Sequence, residues 1–363
     1  MENSSVKVKD RSIPVENLKK KNVNIRTVAE MAGVSIASVS RAFQVPPSLK
    51  ISEKQRKRIL DICSQLHYYP NEHTRRMFSR KSDTIALLFP PTNVDSRSNI
   101  LGVDINFVRC MSSIQKVLAD NGYNLLLNEV NEEFLTARSF LRMIRGNAVD
   151  GIIVWGALYD HQWVKELLTE NIPVVLLQNR LEEDSGYPFV ICDDYSGMAG
   201  VVEKAIAAGH RKFAFLCAPE GNSTGKNRNR AVRDTIKKYG IQDVIEYPGG
   251  SYGYDYGVKM VEFLGENLQN ITCLIAANDI SAWGCIDTLQ KLGYRVPEDI
   301  SVTGADGVAF PGSIRIDSFG LPSGEIGIKG AELLLKLIRN EKDAAPVILP
   351  VKAVDGNTIK KLV

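Results

Sequence analysis

Residues 27–41 of the 363-residue chain read Thr-Val-Ala-Glu-Met-Ala-Gly-Val-Ser-Ile-Ala-Ser-Val-Ser-Arg, and this pattern decides how the first part of the chain folds. Val28 is predicted to face a small core from one short helix, and Gly33 supplies the positive φ that a tight turn needs. Ser35 stands at the N-cap of a second helix, where its hydroxyl oxygen can accept a free backbone amide. Val39 then points back into the core. The run therefore predicts a helix-turn-helix.

The outward face of the second helix carries the residues predicted to contact DNA. Arg41 can bind O6 and N7 of a guanine bidentately, and Ile36 and Ala37 can contact thymine methyl groups in the major groove. A surface ion pair is the alternative role for Arg41. Ser35, at the N-terminus of this helix, can approach a phosphate. The whole predicted DNA-contacting set of the head is Asn24, Ser35, Ile36, Ala37, Ser40 and Arg41.

The distribution of charge also favours a nucleic-acid-binding head. Residues 1–82 contain 17 Lys and Arg against 7 Asp and Glu, a net charge of +10, whereas the rest of the chain carries a net charge of −7. Such asymmetry is typical of a nucleic-acid-binding module joined to a domain with another role. Residues 1–22 lack apolar periodicity, so we predict a flexible basic arm that can add nonspecific phosphate contacts.

From residue 84 onward, short apolar strands alternate with amphipathic helices, which is typical of an α/β fold. Strands are predicted at 85–89, 123–128, 151–155, 174–177, 189–192, 213–217, 273–276 and 301–304. Helices are predicted at 107–121, 134–145, 195–208, 228–239, 254–267 and 281–292. This number of strand–helix units predicts two Rossmann-like lobes. The domains are therefore a helix-turn-helix head at 23–70, a linker at 71–83 and a two-lobed body at 84–363.

Composition and targeting signals narrow the class of protein. With 44% hydrophobic and 24% charged residues, the chain is expected to be a soluble globular protein. The longest apolar stretch, residues 151–159, is shorter than the roughly 20 residues that a membrane span needs. The first residues lack the apolar region of a secretory signal, so we expect a cytoplasmic, nucleoid-associated protein. The six cysteines form no Cys-x-x-Cys pair and are predicted to be reduced, structural thiols.

Further motifs make the sequence similar to a known family. The helix-turn-helix run is followed by Ser-Glu-Lys-Gln-Arg-Lys-Arg-Ile at 52–59 and Leu-His-Tyr-Tyr-Pro-Asn at 66–71. Together they resemble the head of the lactose repressor family of bacterial transcriptional regulators, and stretches such as 276–279 and 296–302 extend the resemblance into the body. It implies a periplasmic-binding-protein-like body and a homodimer that binds a near-palindromic, double-stranded operator. A small effector between the lobes, a sugar or sugar derivative, is expected to control the DNA affinity of this repressor.

The resemblance also assigns a role to the linker. Residues 73–80 occupy the place of the family's hinge helix, which folds on the operator and inserts a leucine into the minor groove. Met77 aligns with that leucine, and Arg75 lies two residues before it. An apolar side chain inserted there partly unstacks the base steps, and the free-energy cost of unstacking is offset by the extra contacts that kinked DNA allows. An ordinary basic linker is the alternative.

In the body, the resemblance nominates effector-binding and dimer residues. Arg228, Asn278 and Asp306 are expected to hydrogen-bond hydroxyl or carbonyl groups of the effector. Phe107 and Tyr252 are expected to offer apolar or stacking faces. Surface ion pairs or lobe packing are the alternative roles of these residues. Trp283 is expected to anchor a dimer interface, with a place in the core of its own lobe as the alternative.

Two other functions are weighed against a transcription regulator. An enzyme is not favoured, because the four histidines form no metal-ligand pattern and no Gly-x-Ser-x-Gly motif occurs, and we predict no catalytic residue, metal or cofactor. Residues 221–227 resemble a phosphate loop but are one residue short and lack its final Ser or Thr. A transport solute-binding protein would share the two-lobed fold. Such a protein would carry an export signal and would lack a DNA-binding head, so both features of this sequence disfavour it.

Overall fold

The computed structural model describes residues 23–43, 50–69, 81–91, 104–156, 162–181, 187–310 and 312–362. The predicted basic arm and most of the predicted hinge segment, including Arg75 and Met77, lie outside the described residues. The chain divides into two compact units, Met1–Lys81 and Ser82–Val363. We call them the head and the body.

The head contains three α-helices within its described residues: α1 Ile25–Ala32, α2 Ile36–Ala42 and α3 Glu53–Gln65. The turn between α1 and α2 follows the sequence prediction, because Gly33 has a φ of +61° and the Ser35 hydroxyl accepts the Ser38 amide at 3.1 Å. Val28, Val39 and Ile59 come from the three helices and are fully buried. Burying each of them stabilises the head by roughly 1.5–3 kcal/mol.

The first lobe of the body is built on a parallel sheet. Its strands are β1 Thr84–Phe89, β2 Asn124–Glu129, β3 Gly151–Trp155, β4 Val174–Leu177, β5 Phe189–Cys192 and β11 Val347–Leu349, in the spatial order β11-β5-β4-β3-β1-β2. Its helices are α4 Ile105–Asp120, α5 Glu132–Thr136, α6 Ser139–Arg145, α7 Gln162–Thr169 and α12 Ser323–Ile338. The central strands β3 and β4 are buried along their whole length, as expected where helices cover both faces of a parallel sheet.

The second lobe repeats this arrangement around a smaller parallel sheet. Its strands are β6 Phe213–Leu216, β7 Val244–Tyr247, β8 Cys273–Ala276 and β9 Ser301–Thr303, in the order β7-β6-β8-β9. Its helices are α8 Asp194–Ala207, α9 Ser223–Lys238, α10 Tyr254–Leu264 and α11 Asp279–Lys291, with a 3₁₀ turn at Gly265–Asn270. An antiparallel pair, β10 Ser318–Gly320 and β12 Lys352–Val354, lies where the chain crosses between the lobes.

The two-lobed α/β architecture is confirmed, but several predicted elements were wrong in detail. The helix predicted at 134–145 is two helices, because Arg138 between them has a φ of +47°. The helix predicted at 228–239 begins at Ser223, where Asn222 caps it. The helix predicted at 254–267 ends at Leu264, before Gly265 with its φ of +48°. Prediction missed α7, α12 and the strands β7, β10, β11 and β12, of which the strands are only three or four residues long.

The long helix α12 was missed because it contains three glycines, which disfavour helix formation. Two of them are required by packing. A Cβ on Gly327 would lie 2.4 Å from the carbonyl oxygen of Cys110, and a Cβ on Gly330 would lie 2.6 Å from the Leu177 side chain. The glycines therefore let α12 approach α4 and the sheet closely.

All six cysteines are buried and free, as predicted. In the described ranges, no helix combines the length and apolar character needed to cross a membrane, and no group of three or more His, Cys, Asp and Glu is arranged to hold a metal ion.

Candidate functional site

Helix α2 presents an exposed surface on the side opposite the head's core. Ile36 is 45% exposed, an unusual position for a large apolar side chain on a helix that buries Val39 and Ala42 completely. Ala37 and Ser40 are also exposed, and Arg41 is partly exposed. Arg41 forms no ion pair with another described residue, so the alternative role as an ion-pair partner finds no support in this part of the chain. The four predicted base-reading residues thus share one accessible face.

The side chains of Asn24 and Ser35 already have structural roles in the head. The Asn24 carboxamide oxygen accepts the amides of Arg26 and Thr27 and so caps α1. The Ser35 hydroxyl caps α2 in the same way. Both residues are exposed, so the caps leave these two helix N-termini accessible.

In the body, Arg228 of α9 is the centre of a buried charge network at the carboxyl ends of the second-lobe strands. Its Nε donates to Asp194 Oδ1 at 2.8 Å, its Nη1 donates to the Ala277 carbonyl at 2.9 Å, and its Nη2 donates to Asp306 Oδ1 at 2.7 Å. The side chains of Arg228 and Asp194 are 3% and 2% exposed, while that of Asp306 is 15% exposed. Asp306 is therefore the carboxylate of the network that solvent can reach.

The electrostatics of this network follow from its burial. Burial raises the pKa of the Asp306 carboxyl to about 6, although Arg228 favours the charged form. Burial disfavours a charged Arg228, but Asp306 and Asp194 outweigh that cost, and the pKa of Arg228 is raised well above its ordinary value. Burial, and then repulsion from Asp306, raise the pKa of Asp279 well above its ordinary value. Arg228 is thus held charged between two carboxylates.

Aromatic rings flank the arginine. The guanidinium carbon of Arg228 lies 5.8 Å from the ring centroid of Tyr252 and 5.3 Å from that of Phe319, distances at which a cation is attracted to a ring face. The buried Tyr252 hydroxyl and the side-chain nitrogen of Asn222 make no hydrogen bond of standard geometry with a described residue, although the two side chains lie close enough to interact with each other. Polar atoms buried in this way are commonly satisfied by a ligand or water. They mark the region around Arg228 as a candidate ligand site.

Hydrogen bonds cross from the first lobe to the second beside this network. The Asn106 amide donates to the Asp306 carbonyl at 3.3 Å and accepts from Ser323 Oγ at 2.7 Å. The start of α9 docks on the end of β4, where Ser223 Oγ donates to Asn179 Oδ1 at 3.2 Å and Thr224 Oγ1 donates to the Gln178 carbonyl at 3.1 Å. The segment that resembled a phosphate loop is therefore a helix start that joins the lobes.

The remaining predicted effector residues are placed differently. Phe107 is buried and packs against Phe89 and Trp155, with ring centroids 4.9 and 5.9 Å away. Asn278 is buried and caps α11, because its side-chain oxygen accepts the Ser281 amide at 3.0 Å. Its side-chain nitrogen donates to the Tyr252 carbonyl. The structure therefore brings Arg228, Tyr252 and Asp306 together. Asn278 contacts the backbone of Tyr252.

Trp283, the predicted dimer anchor, is half-buried on α11. Its ring stacks on Phe310 at a centroid distance of 4.8 Å and an interplanar angle of 4°. It also packs at the edge of the second-lobe core. This packing matches the alternative of a place in the core of its own lobe, and the role of Trp283 as a dimer anchor stays a prediction.

Sequence reasoning missed Asp194, Asn106 and Asn222. Asp194 could have been found, because it lies two residues after the end of strand β5, at the edge of the sheet where α/β proteins bind ligands. Asn106 and Asn222 carry no such signal. Their importance depends on partners far away in the sequence, such as Asp306 for Asn106.

Comparisons with known proteins support the identification of both the head and the body. Residues 24–71 match the model of the lacI family of bacterial regulatory proteins, and residues 202–359 match the periplasmic binding protein-like domain. The chain is 30% identical over 332 residues to the "Probable HTH-type transcriptional repressor ExuR" of Bacillus subtilis, covering 90% of this chain and 95% of that protein. It is 29% identical to catabolite control protein A of Priestia megaterium, covering 91% and 97% of the two chains.

Solved structures show the same fold. The lac repressor dimer bound to operator and the anti-inducer ONPF superposes with a TM-score of 0.78 at 22% identity, covering 94% of this chain and 100% of that one. The CelR–cellobiose complex gives a TM-score of 0.67 at 23% identity, covering 93% and 100%. With its helix-turn-helix head and periplasmic-binding-protein-like body, the chain belongs to the lacI family of bacterial regulatory proteins, which are DNA-binding transcriptional regulators and not enzymes.

Proposed function

We propose that this regulator represses transcription as a homodimer that binds a near-palindromic double-stranded operator. A small effector between the lobes of the body, a sugar or sugar derivative, controls its affinity for DNA. The observation that carries the DNA-binding part is the exposed face of α2, with Ile36 45% exposed next to Ala37, Ser40 and Arg41.

The chemistry of this face suits the major groove. A guanidinium can donate two hydrogen bonds to one guanine, and small or branched apolar groups fit against thymine methyl groups. Arg41 supplies the first and Ile36 and Ala37 supply the second. Asn24 and Ser35 stand at the starts of α1 and α2, where contacts to phosphates fix the orientation of a head on the duplex.

The linker completes the proposed DNA interface. Met77 would insert between base steps of the minor groove, and Arg75 would contact the backbone beside it. The linker's C-terminal end is fixed to the first lobe, because the amides of Ser82 and Asp83 each donate to the Asp150 carboxylate at 2.8 Å. A movement of the first lobe would therefore move the end of the linker.

The region around Arg228 is the proposed effector site. Arg228 and Asp306 would hydrogen-bond hydroxyl groups, and the ring of Tyr252 would cover a face of the effector. Asn278 would act indirectly, by holding the backbone of Tyr252 in place. Phe107 would act by packing with Phe89 and Trp155 of the first lobe. Cellobiose is bound in the solved structure of CelR, and ribose operon repressors are among the relatives, which supports a carbohydrate.

The contacts that cross between the lobes supply a means of control. An effector can act only through different affinities for two conformations. Binding beside Asp306 would change the Asn106–Asp306 contact and the closure of the lobes, and the anchored linker would pass this change to the heads. Trp283 would contribute to the dimer interface that pairs two heads at operator half-sites. We place this activity in the cytoplasm, at the nucleoid.

Selection of duplexes from a random library by the full-length protein tests the proposal. The expected result is an enriched site with two inverted half-sites, and a sugar that changes the affinity for this site. Enrichment of no sequence over random DNA would contradict the DNA-binding part. Operator binding that no member of a broad sugar panel alters would contradict the effector part.

A further inference from the structure

The C-terminal end of α2, next to Arg41, is held by a side chain of the helix that follows it. We propose that Arg56 of α3 is a positioning residue for DNA recognition, which fixes the last turn of α2 and thereby the placement of Arg41. The inference rests on the proposed role of the exposed α2 face in reading bases. Arg56 acts through the backbone of α2 and makes no contact with DNA itself.

The contact between the two helices is a hydrogen bond between residues 14 positions apart. Nε of Arg56 donates to the backbone carbonyl of Ala42 at 3.1 Å. Ala42 is the last residue of α2, is fully buried and directly follows Arg41. The last carbonyls of a helix cannot be satisfied by the helix itself. Arg56 therefore supplies a partner that α2 has to find elsewhere in the head.

Helix α2 lacks the C-terminal glycine that ends α1. Gly33 ends α1 with a φ of +61°, whereas α2 ends at Phe43 with a φ of −95°. Helix α2 also has only seven residues, and isolated helices shorter than about 12 residues are marginal in water. Contacts with the neighbouring helices must therefore hold it, and the bond from Arg56 is such a contact at the end that carries Arg41.

Charge and exposure favour the same role. Arg56 is the fourth residue of α3, and a positive charge near the start of a helix gains nothing from the dipole of that helix. The same charge lies at the C-terminal end of α2, where the dipole favours a cation. The Arg56 side chain is only 24% exposed, whereas Lys57 and Arg58 beside it are exposed. The Arg56 side chain therefore belongs to the interior of the head.

Arg56 is itself held in a fixed place. Its backbone amide donates to the carbonyl of Ser52 at 2.8 Å, at the capped start of α3, and Ile59 in the next turn is buried in the core of the head. The Ser35 cap holds the opposite end of α2. Bidentate bonds to a guanine depend on distance and angle. Loss of the Arg56 bond would free the end where Arg41 lies and so weaken base reading.

Two neutral substitutions separate this role from a contact with a DNA phosphate. Arg56→Gln removes the charge but keeps an N–H donor where Nε stood, because the side-chain nitrogen of glutamine is the same number of bonds from Cα. Arg56→Met removes both the charge and the donor. Arg58→Met, which replaces an exposed arginine on the same helix, is the matched control. Fluorescence anisotropy would measure binding of the full-length variants to the selected operator and to a scrambled duplex at several salt concentrations.

We expect Arg56→Met to bind the operator about tenfold more weakly than wild type and to bind scrambled DNA as well as wild type. Arg56→Gln should keep most of the preference for the operator, and Arg58→Met should keep all of it. The salt dependence of operator binding should be unchanged in both Arg56 variants, since loss of a phosphate contact lowers the slope by about 1. Equal losses in Arg56→Gln and Arg56→Met overturn the inference, because the charge would then matter and not the donor.

A double-mutant cycle shows whether Arg56 acts through Arg41. Added to Arg41→Ala, Arg56→Met should cost little further operator affinity, because residues that act together are not additive. Additive losses overturn the inference. A loss of operator preference in Arg41→Ala but not in folded Arg56→Met contradicts the inference alone. If Arg41→Ala keeps its preference, the proposed reading face of α2 fails and the inference fails with it.

Melting curves of the variants show whether the head stays folded. If Arg56→Met unfolds the head at the temperature of the assay and Arg56→Gln does not, the glutamine variant decides. A wild-type operator preference and salt dependence in it support the inference, and a lost preference overturns it. A head that is unfolded in both variants also overturns the inference, because Arg56 would then be needed for the fold of the head and not for the position of α2.

Discussion

Nη2 of Arg228 lies 2.7 Å from Oδ1 of Asp306, although the two residues are 78 positions apart in the chain. The contact joins α9 to the connection that follows β9, and the backbone carbonyl of the same Asp306 accepts a hydrogen bond from Asn106 of the first lobe. One aspartate therefore links the buried arginine to the boundary between the lobes. A ligand that contacts Asp306 can therefore affect both the buried arginine and the contact between the lobes.

Replacement of Arg228 should destabilise the body strongly. Arg228→Ala would leave the carboxylates of Asp194 and Asp306 without their cation, and breaking a buried ion pair costs on the order of 3–5 kcal/mol. Urea unfolding of the full-length protein at neutral pH measures this loss. The control is Arg230→Ala on the same helix, an exposed arginine whose contact with the Tyr195 ring at 4.8 Å is worth roughly 0.5–1 kcal/mol. Similar losses in the two variants would contradict the buried network.

Asp306 should make the body less stable as the pH rises from about 4 to about 6. Burial raises the pKa of its carboxyl from the ordinary 3.8 to about 6. Between these values the folded chain binds more protons than the unfolded chain, so the free energy of unfolding falls with rising pH. The stability of Asp306→Asn relative to wild type should therefore increase across this window. Urea unfolding at several pH values checks it, and a difference that is constant with pH would refute the assigned shift.

Loss of the α2 cap should loosen the head alone. Ser35→Ala removes the hydroxyl that accepts the Ser38 amide, and loss of such a cap costs about 0.5–2 kcal/mol. Hydrogen exchange of the full-length protein should show faster exchange in α1 to α3 and unchanged exchange in the body. Ser64→Ala, at an exposed position inside α3, serves as the control. Equal protection in the two variants would show that the cap is unimportant.

The body should fold and assemble without the head. A chain that begins at Lys81 keeps the Ser82 and Asp83 amides that bind Asp150, and the division between the two units falls after Lys81. We expect this chain to sediment as a dimer with the melting temperature of the body and to lack operator binding. Sedimentation, calorimetry and DNA binding of the truncated chain check these expectations. Specific DNA binding by it would contradict the assignment of DNA recognition to the head.

The head could be predicted from sequence almost completely because its signals are local. Gly33, Ser35 and Val39 each act within a few residues of their position, and the structure shows the turn, the cap and the buried contact that the sequence predicts. Eight strands of the body, β1 to β6, β8 and β9, were found for the same reason, since each is a short run rich in apolar residues, whereas β7 and β10 to β12 were missed. Helix α12 was not found, because its glycines serve contacts with Cys110 and Leu177 that the local sequence does not reveal.

The effector site was predicted only in part. Position at the carboxyl ends of strands, together with the family resemblance, nominated Arg228, Tyr252 and Asp306, and the structure places these three together. The pairing of these residues with the partners that set their chemistry was not predictable. Asp194 lies 34 positions from Arg228 in the sequence, and such pairings depend on how the lobes fold rather than on any local pattern.

Operator binding by Arg41→Ala is the most direct test that the exposed face of α2 reads DNA. Fluorescence anisotropy would compare wild type and variant on the selected operator and on a scrambled duplex of the same length. We expect a loss of about 1–3 kcal/mol of binding free energy on the operator and little change on scrambled DNA. Thermal unfolding should be unchanged, because Arg41 is partly exposed and forms no ion pair with another described residue. An undiminished preference for the operator in the folded variant would contradict the claim that this face of α2 reads DNA.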